Sequence, residues 1–94
     1  MYSILIVDDD YFFGVRYMNM EIWGKFGFEV AAAVQTERQA ADFLKKNGAD
    51  LVLTDVNRPQ LDGIRLAQEI KRLYSGTCVV FSVSAPILKR HERE

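Results

Sequence analysis

The sequence predicts an α/β fold, an open parallel sheet with helices on both faces. Four short runs of aliphatic and β-branched residues, Ser3–Val7, Phe28–Val34, Ala49–Thr54 and Thr77–Val83, read as strands, the first buried on both faces and the fourth also buried. The stretches between them carry apolar residues at three- and four-residue steps, as amphipathic helices do. Strands alternating with helices imply parallel pairing and right-handed crossovers. At 94 residues, 49% hydrophobic and 27% charged, the chain is expected to be a single domain over residues 1–94.

The first strand ends abruptly in Asp8-Asp9-Asp10, and Asp10 is placed to open the first helix. That helix is expected over Tyr11 to Phe26, with Phe12, Val15, Ile22 and Phe26 as its inner stripe, joined by Met18 or Trp23. Gly14 and Gly24 weaken it, each by up to about 1 kcal/mol relative to Ala. The aromatic run Tyr11, Phe12, Phe13, Tyr17 and Trp23 reads as core, and Gly27 as the stop. Thr36 followed by Gln39 is a capping box for the second helix, whose apolar side is Ala40, Ala41, Phe43 and Leu44 and whose stop is Gly48. Between Asn57 and Gly63 a loop is expected, since Pro59 drives Arg58 from helical geometry and Asp62-Gly63 favours a turn. Leu66, Ala67, Ile70, Leu73 and Tyr74 mark the third helix, closed by Ser75-Gly76. Cys78, within the fourth apolar run, reads as a small core residue, and His91 as a solvated side chain in a charged tail.

Composition excludes several classes of function. No apolar stretch approaches the roughly 18 to 20 residues that cross a bilayer, and nothing near Met1 has signal-peptide character, so a cytoplasmic protein without membrane contact is expected. Twelve basic against 13 acidic residues leave a net charge of −1, without the basic field that draws nucleic acid, so no direct nucleic-acid partner is expected. A lone cysteine excludes an internal disulfide framework and a cysteine-rich zinc site.

In an open α/β sheet the ligand crevice lies beyond the carboxyl ends of the strands, near the point where strand order reverses. Asp8 and Asp9 leave the first strand there, and Asp55 ends the third. Neighbouring strands are only about 4.8 Å apart, so three carboxylates would meet at one rim and call for a compensating cation. Oxygen donors at a partly solvated site suit Mg²⁺. Asp55 is then the candidate nucleophile towards phosphorus, because a carboxylate can form an acyl phosphate. Ser84, at the end of the fourth strand, offers a hydroxyl to a phosphoryl oxygen.

Three segments together, Ile4-Leu5-Ile6-Val7-Asp8-Asp9-Asp10, Asp50 through Gly63, and Val79-Val80-Phe81-Ser82-Val83-Ser84-Ala85, resemble the receiver domain of bacterial two-component response regulators. The resemblance runs from Ser3 to about Ala85. It implies a flavodoxin-like, doubly wound sheet of order 2-1-3-4-5, with Asp8 and Asp9 as the acidic metal pair and Asp9 the direct ligand. It further implies that Asp55 is the phosphoacceptor and a metal ligand, that the Asn57 backbone carbonyl completes the Mg²⁺ site, and that Ser84 is the switch hydroxyl. Ala85 corresponds to the small residue that allows access, and Pro59 and Gly63 to the loop after the acceptor. The implied phosphodonor is a histidine kinase or phosphotransfer protein, and the chain acts as an enzyme only on itself.

The sequence departs from the family pattern after the switch residue, where the usual fifth strand, last helix and strand-five lysine have no counterpart. Arg58 also stands where an aliphatic residue or Met is usual. A shortened receiver is expected to expose an edge of the fourth strand and part of the sheet beside the first helix, favouring a homodimer or swapped oligomer, or to be a piece of a longer protein. The alternative function is a phosphorylation-independent dimerisation or scaffold module. A phosphatase acting on external substrates ranks lower, since Asp55-Val56-Asn57 lacks a second acid two residues on.

Overall fold

The computed structural model describes residues 1–55 and 63–82, with backbone alone at Tyr11, Phe12, Phe13, Tyr17, Asp55, Gly63 and Ser82. The elements run β1 (Tyr2–Val7), α1 (Tyr11–Met18), α2 (Ile22–Lys25), β2 (Phe28–Val34), α3 (Glu37–Asn47), β3 (Leu51–Asp55), α4 (Gly63–Leu73) and β4 (Cys78–Ser82). The strands form one parallel sheet of order β2-β1-β3-β4. Strand order and parallel pairing agree with the sequence reading over these four strands.

β1 is the centre of the fold because it is apolar on both faces. Ile4, Leu5, Ile6 and Val7 are all essentially inaccessible to solvent. Leu5 and Val7 join Val52 of β3, Ala40 and Leu44 of α3, and Leu66 and Ile70 of α4 in one buried cluster, so α3 and α4 cover this face. Alternation turns Ile4 and Ile6 the other way. Ile6 pairs with Ala33, and a Cβ built on Gly14 would lie 3.6 Å from the Ala33 Cβ, which puts α1 on this second face.

Local chemistry sets the ends of α3. The Thr36 side chain accepts a hydrogen bond from the Gln39 backbone N–H (3.1 Å), while Gln39 Oε1 accepts from the Gln35 N–H (2.8 Å). The first bond satisfies an amide that the opening helical turn leaves without an acceptor, and the second ties the residue before the cap to the helix. At the other end Gly48 takes φ 70°, a left-handed backbone that favours glycine, and its N–H donates to Leu44 O. At the amino rim of the sheet, Asp50 Oδ2 accepts from the Ser3 N–H (2.8 Å) and ties the start of β3 to β1.

The first helical segment differs from the expected continuous helix. It breaks after Met18 and resumes only as the short α2. Asn19 ends α1: its backbone N–H reaches both Val15 O and Arg16 O, and its side-chain amide also donates to Val15 O (3.0 Å). A side chain that bonds the local backbone in this way competes with helix continuation. Consequently the expected inner stripe holds at half-buried Val15 and Trp23 but not at Met18, Ile22 or Phe26, which are exposed, Phe26 by 70%. The side chains of Tyr11, Phe12, Phe13 and Tyr17 lie outside the described residues.

β4 corrects a second expectation. The fourth apolar run reads as buried and Cys78 as core, yet Cys78, Val80 and Phe81 are exposed while Val79 packs half-buried against the central cluster. Among the described residues β4 pairs only with β3, so it is an edge strand whose apolar content does not translate into burial. Beside the first helical segment the sheet residues Ile4 and Ile6 on β1 are covered, whereas Met18, Ile22 and Phe26 are exposed.

Candidate functional site

The chain leaves β1 towards β2 on one side and later crosses to β3 on the other, so strand order reverses at the β1–β3 boundary. Ligand crevices of open α/β sheets form at this kind of boundary, beyond the carboxyl ends. Val7 pairs with Thr54. The next residues, Asp8 and Asp55, therefore stand side by side on adjacent strands at the rim. Asp55 in turn pairs with Ser82 of β4.

A compact turn follows β1. The Asp8 N–H donates to Val34 O (2.9 Å), extending the ladder with β2 by one residue. The Asp8 carboxylate then folds forward, and its Oδ1 accepts from the Asp10 N–H at 2.9 Å. Aspartate commonly makes this two-residue turn. The Gly14 N–H donates to Asp10 O at 3.0 Å and begins α1, in line with the reading that Asp10 opens the helix. Asp8 is 4% exposed and one carboxylate oxygen of Asp9, Oδ1, is buried. Two acids held at a switch point, partly withdrawn from water, supply the hard oxygen donors that Mg²⁺ prefers.

Of the sequence-derived site, Asp8 and Asp9 are thus together at the rim and Asp55 reaches it through its backbone. Asn57, Arg58, Pro59, Ser84, Ala85 and His91 lie outside the described residues. Among the described residues, no group of three His, Cys, Asp or Glu side chains converges as a metal site.

Two features near the rim escape sequence reading. Asp8 lines a cavity of about 10 Å³ with Gly14, Val15, Ala33, Val34 and Gln35, on the β2 side of the rim and no larger than one water requires. Register could have placed Gln35 there, since it follows Val34, the partner of Val7. The second feature is Thr54, only 1% exposed, whose Oγ1 has no hydrogen-bond partner among the described residues. Nothing in the residue pattern signals that. A larger apolar recess of about 110 Å³ between α3 and α4, lined by Leu44, Leu66, Ile70 and Tyr74 among others, lies on the face of the sheet and away from the acidic rim.

The family of the chain follows from its likeness to known proteins. Residues 4–89 match the response regulator receiver domain family. The chain belongs to that family. This receiver domain is 42% identical over 72 residues to the chemotaxis protein CheY of Bacillus subtilis, covering 77% of the chain and 58% of CheY. It is 40% identical over 69 residues to sporulation initiation phosphotransferase F of the same organism, covering 73% and 53%. The chain therefore spans a little over half the length of these curated relatives. Among solved structures, the signal receiver domain of an HD domain-containing protein from Pseudomonas fluorescens superposes with a TM-score of 0.71 at 25% identity, over 98% of this chain and 65% of that one. The parallel four-stranded sheet and its flanking helices are those of the flavodoxin-like receiver fold. No helix among the described residues of this receiver domain is long and apolar enough to cross a membrane.

Proposed function

We propose that this chain is a phosphoacceptor module of two-component signalling, taking a phosphoryl group on Asp55 from a histidine kinase or phosphotransfer protein in a Mg²⁺-dependent reaction. The observation that carries the reading is the β1–β3 register, which aligns Asp8 and Asp55 on neighbouring strands at the switch point of the sheet. Membership of the receiver family and the likeness to a phosphotransferase of sporulation support it.

In this reading Asp8, Asp9, Asp55 and the Asn57 carbonyl would hold Mg²⁺, which would supply charge neutralisation for the phosphoryl oxygens. A carboxylate oxygen of Asp55 forms the new O–P bond as the P–N bond of the donor phosphohistidine breaks. The imidazole departs neutral, keeping the proton on its other ring nitrogen, and the product is an acyl phosphate on Asp55. Asp8 fixes the turn after β1 and so keeps the neighbouring Asp9 at the rim. Ser84 supplies its hydroxyl to a phosphoryl oxygen once the transfer is complete. Positioning and charge stabilisation account for most of the work, as in phosphoryl transfer generally. The chain modifies itself and turns over no external substrate. No observation favours the phosphorylation-independent scaffold.

Phosphoramidate, a small P–N donor, tests the reading. After incubation with Mg²⁺, borohydride reduction and peptide mapping should place the modification on Asp55. Modification at another residue, or none in a folded sample, would remove the basis for this assignment.

A further inference from the structure

The break in the first helical segment leaves an apolar surface at the amino end of the sheet. α1 begins beside the acidic rim, where the Gly14 N–H meets Asp10 O, and the chain then returns along the sheet to start the parallel strand β2, so the end of α1 and all of α2 lie at the opposite end of the fold. Met18, Met20, Ile22 and Phe26 are exposed there, Phe26 by 70%. The start of β1 adjoins them: the Tyr2 N–H donates to Gly27 O at 2.9 Å, and the Tyr2 ring lies 6.0 Å from that of Phe28. Met1 and Tyr2 are exposed as well.

The size of this surface separates it from ordinary surface apolarity. Side chains of this bulk carry roughly 200 Å² each, so the exposed parts of these six come to roughly 700 Å². The largest apolar patch on a typical monomer is about 300–600 Å². Two such surfaces together reach roughly 1,400 Å², within the about 1,200–2,000 Å² of a stable protein interface.

The charges around the surface complement themselves. Ile22 and Phe26 are about one helical turn apart and share the outer face of α2, while Trp23 is half-buried. Glu21 and Lys25, also four apart and both exposed, flank that face on one side. Glu21 has helical dihedrals (φ −66°, ψ −22°), so helical spacing extends to it. A two-fold axis passing between Ile22 and Phe26 lays α2 of a second copy antiparallel on the first. Glu21 of each copy then stands beside Lys25 of the other, so two ion pairs flank an apolar centre. A lipid surface fits less well. From 16 to 29 the charged residues are Arg16, Glu21, Lys25 and Glu29, balanced in sign, without the basic face that holds a helix to anionic lipid.

We propose that this surface, residues 18–26 with Met1 and Tyr2, is the contact between two copies of the chain, an isologous dimer centred on Ile22 and Phe26. It lies at the far end of β1 from Asp8 and Asp9, so both acidic rims stay open and dimerisation accompanies phosphoacceptor activity instead of replacing it. The contact does not depend on phosphorylation of Asp55.

Sedimentation equilibrium of the full chain, from micromolar to submillimolar concentration, tests this. Wild type should form a dimer, and Phe26→Ser a monomer with an unchanged circular dichroism spectrum, since Phe26 lies mostly in solvent. Glu21→Lys and Lys25→Glu each set like charges against one another twice and should weaken self-association about tenfold or more. Mixed in equal amounts, the two variants should recover the dimer, because every like-charge contact becomes an ion pair. That mixture decides the matter even if Phe26→Ser does not fold, both charged side chains being exposed. The proposal is overturned if wild type stays monomeric across the range, if a folded Phe26→Ser associates as wild type does, or if the mixture associates no more tightly than its components. A monomeric wild type that cosediments with phosphatidylcholine–phosphatidylserine vesicles would also overturn it and assign the surface to lipid.

Discussion

Val7 lies opposite Thr54 in the β1–β3 ladder, and the residues that follow them, Asp8 and Asp55, open side by side onto the rim where strand order reverses. Two acids 47 positions apart in sequence are brought together by pairing of apolar strands, without any contact of their own being needed to hold them. Burial of Leu5, Val7 and Val52 against α3 and α4 fixes that pairing. A one-residue slip of β3 would turn its apolar side chains to the wrong face, so the core protects the register of the site.

The turn after β1 depends on the Asp8 carboxylate as an acceptor. Asp8→Ala removes the partner of the Asp10 N–H and should lower stability by about 1–3 kcal/mol in urea unfolding. Asp8→Asn keeps an oxygen there and should lose less. Both should reduce Mg²⁺ affinity, by about 10- to 100-fold for a residue that orients a ligand. Equal stability of the two variants would mean that the turn does not rely on this bond.

Gly14 is a cost that can be recovered. A Cβ there meets the Ala33 Cβ at 3.6 Å, an ordinary contact, and the position lies within α1. Gly14→Ala should therefore raise stability by about 0.5–1 kcal/mol. A drop in the urea midpoint would show that α1 sits closer to β2 than this spacing allows.

Gly48 is the opposite case. Its φ of 70° with ψ of 170° is a region that side chains with a Cβ enter only under strain. Gly48→Ala should cost about 1–3 kcal/mol although nothing lies within 4 Å of the added carbon. Unchanged stability would show that the chain can leave α3 by another backbone path.

Most of the sheet and the acidic rim were legible in the sequence because their signals are local. A continuous apolar run ending in Asp8-Asp9-Asp10 specifies both a buried strand and the position of its acids, and Thr36 with Gln39 marks the start of α3 as the structure has it. The break at Asn19 was not legible, because Met18, Ile22 and Phe26 keep helical spacing whether or not anything covers them. Likewise the apolar letters of Cys78, Val80 and Phe81 do not say whether a strand is central or at an edge, which depends on what pairs beyond it. The unpartnered Thr54 hydroxyl belongs to three-dimensional placement alone.

The central claim is that Asp55 accepts phosphorus at a Mg²⁺ site built with Asp8 and Asp9. The intact mass of the chain after incubation with acetyl phosphate, with and without Mg²⁺ and beside Asp55→Asn, tests it most directly. One added phosphoryl group that requires both Mg²⁺ and Asp55 is the predicted result. An unchanged mass in a folded, rapidly quenched sample, or an adduct that persists in Asp55→Asn, would contradict it.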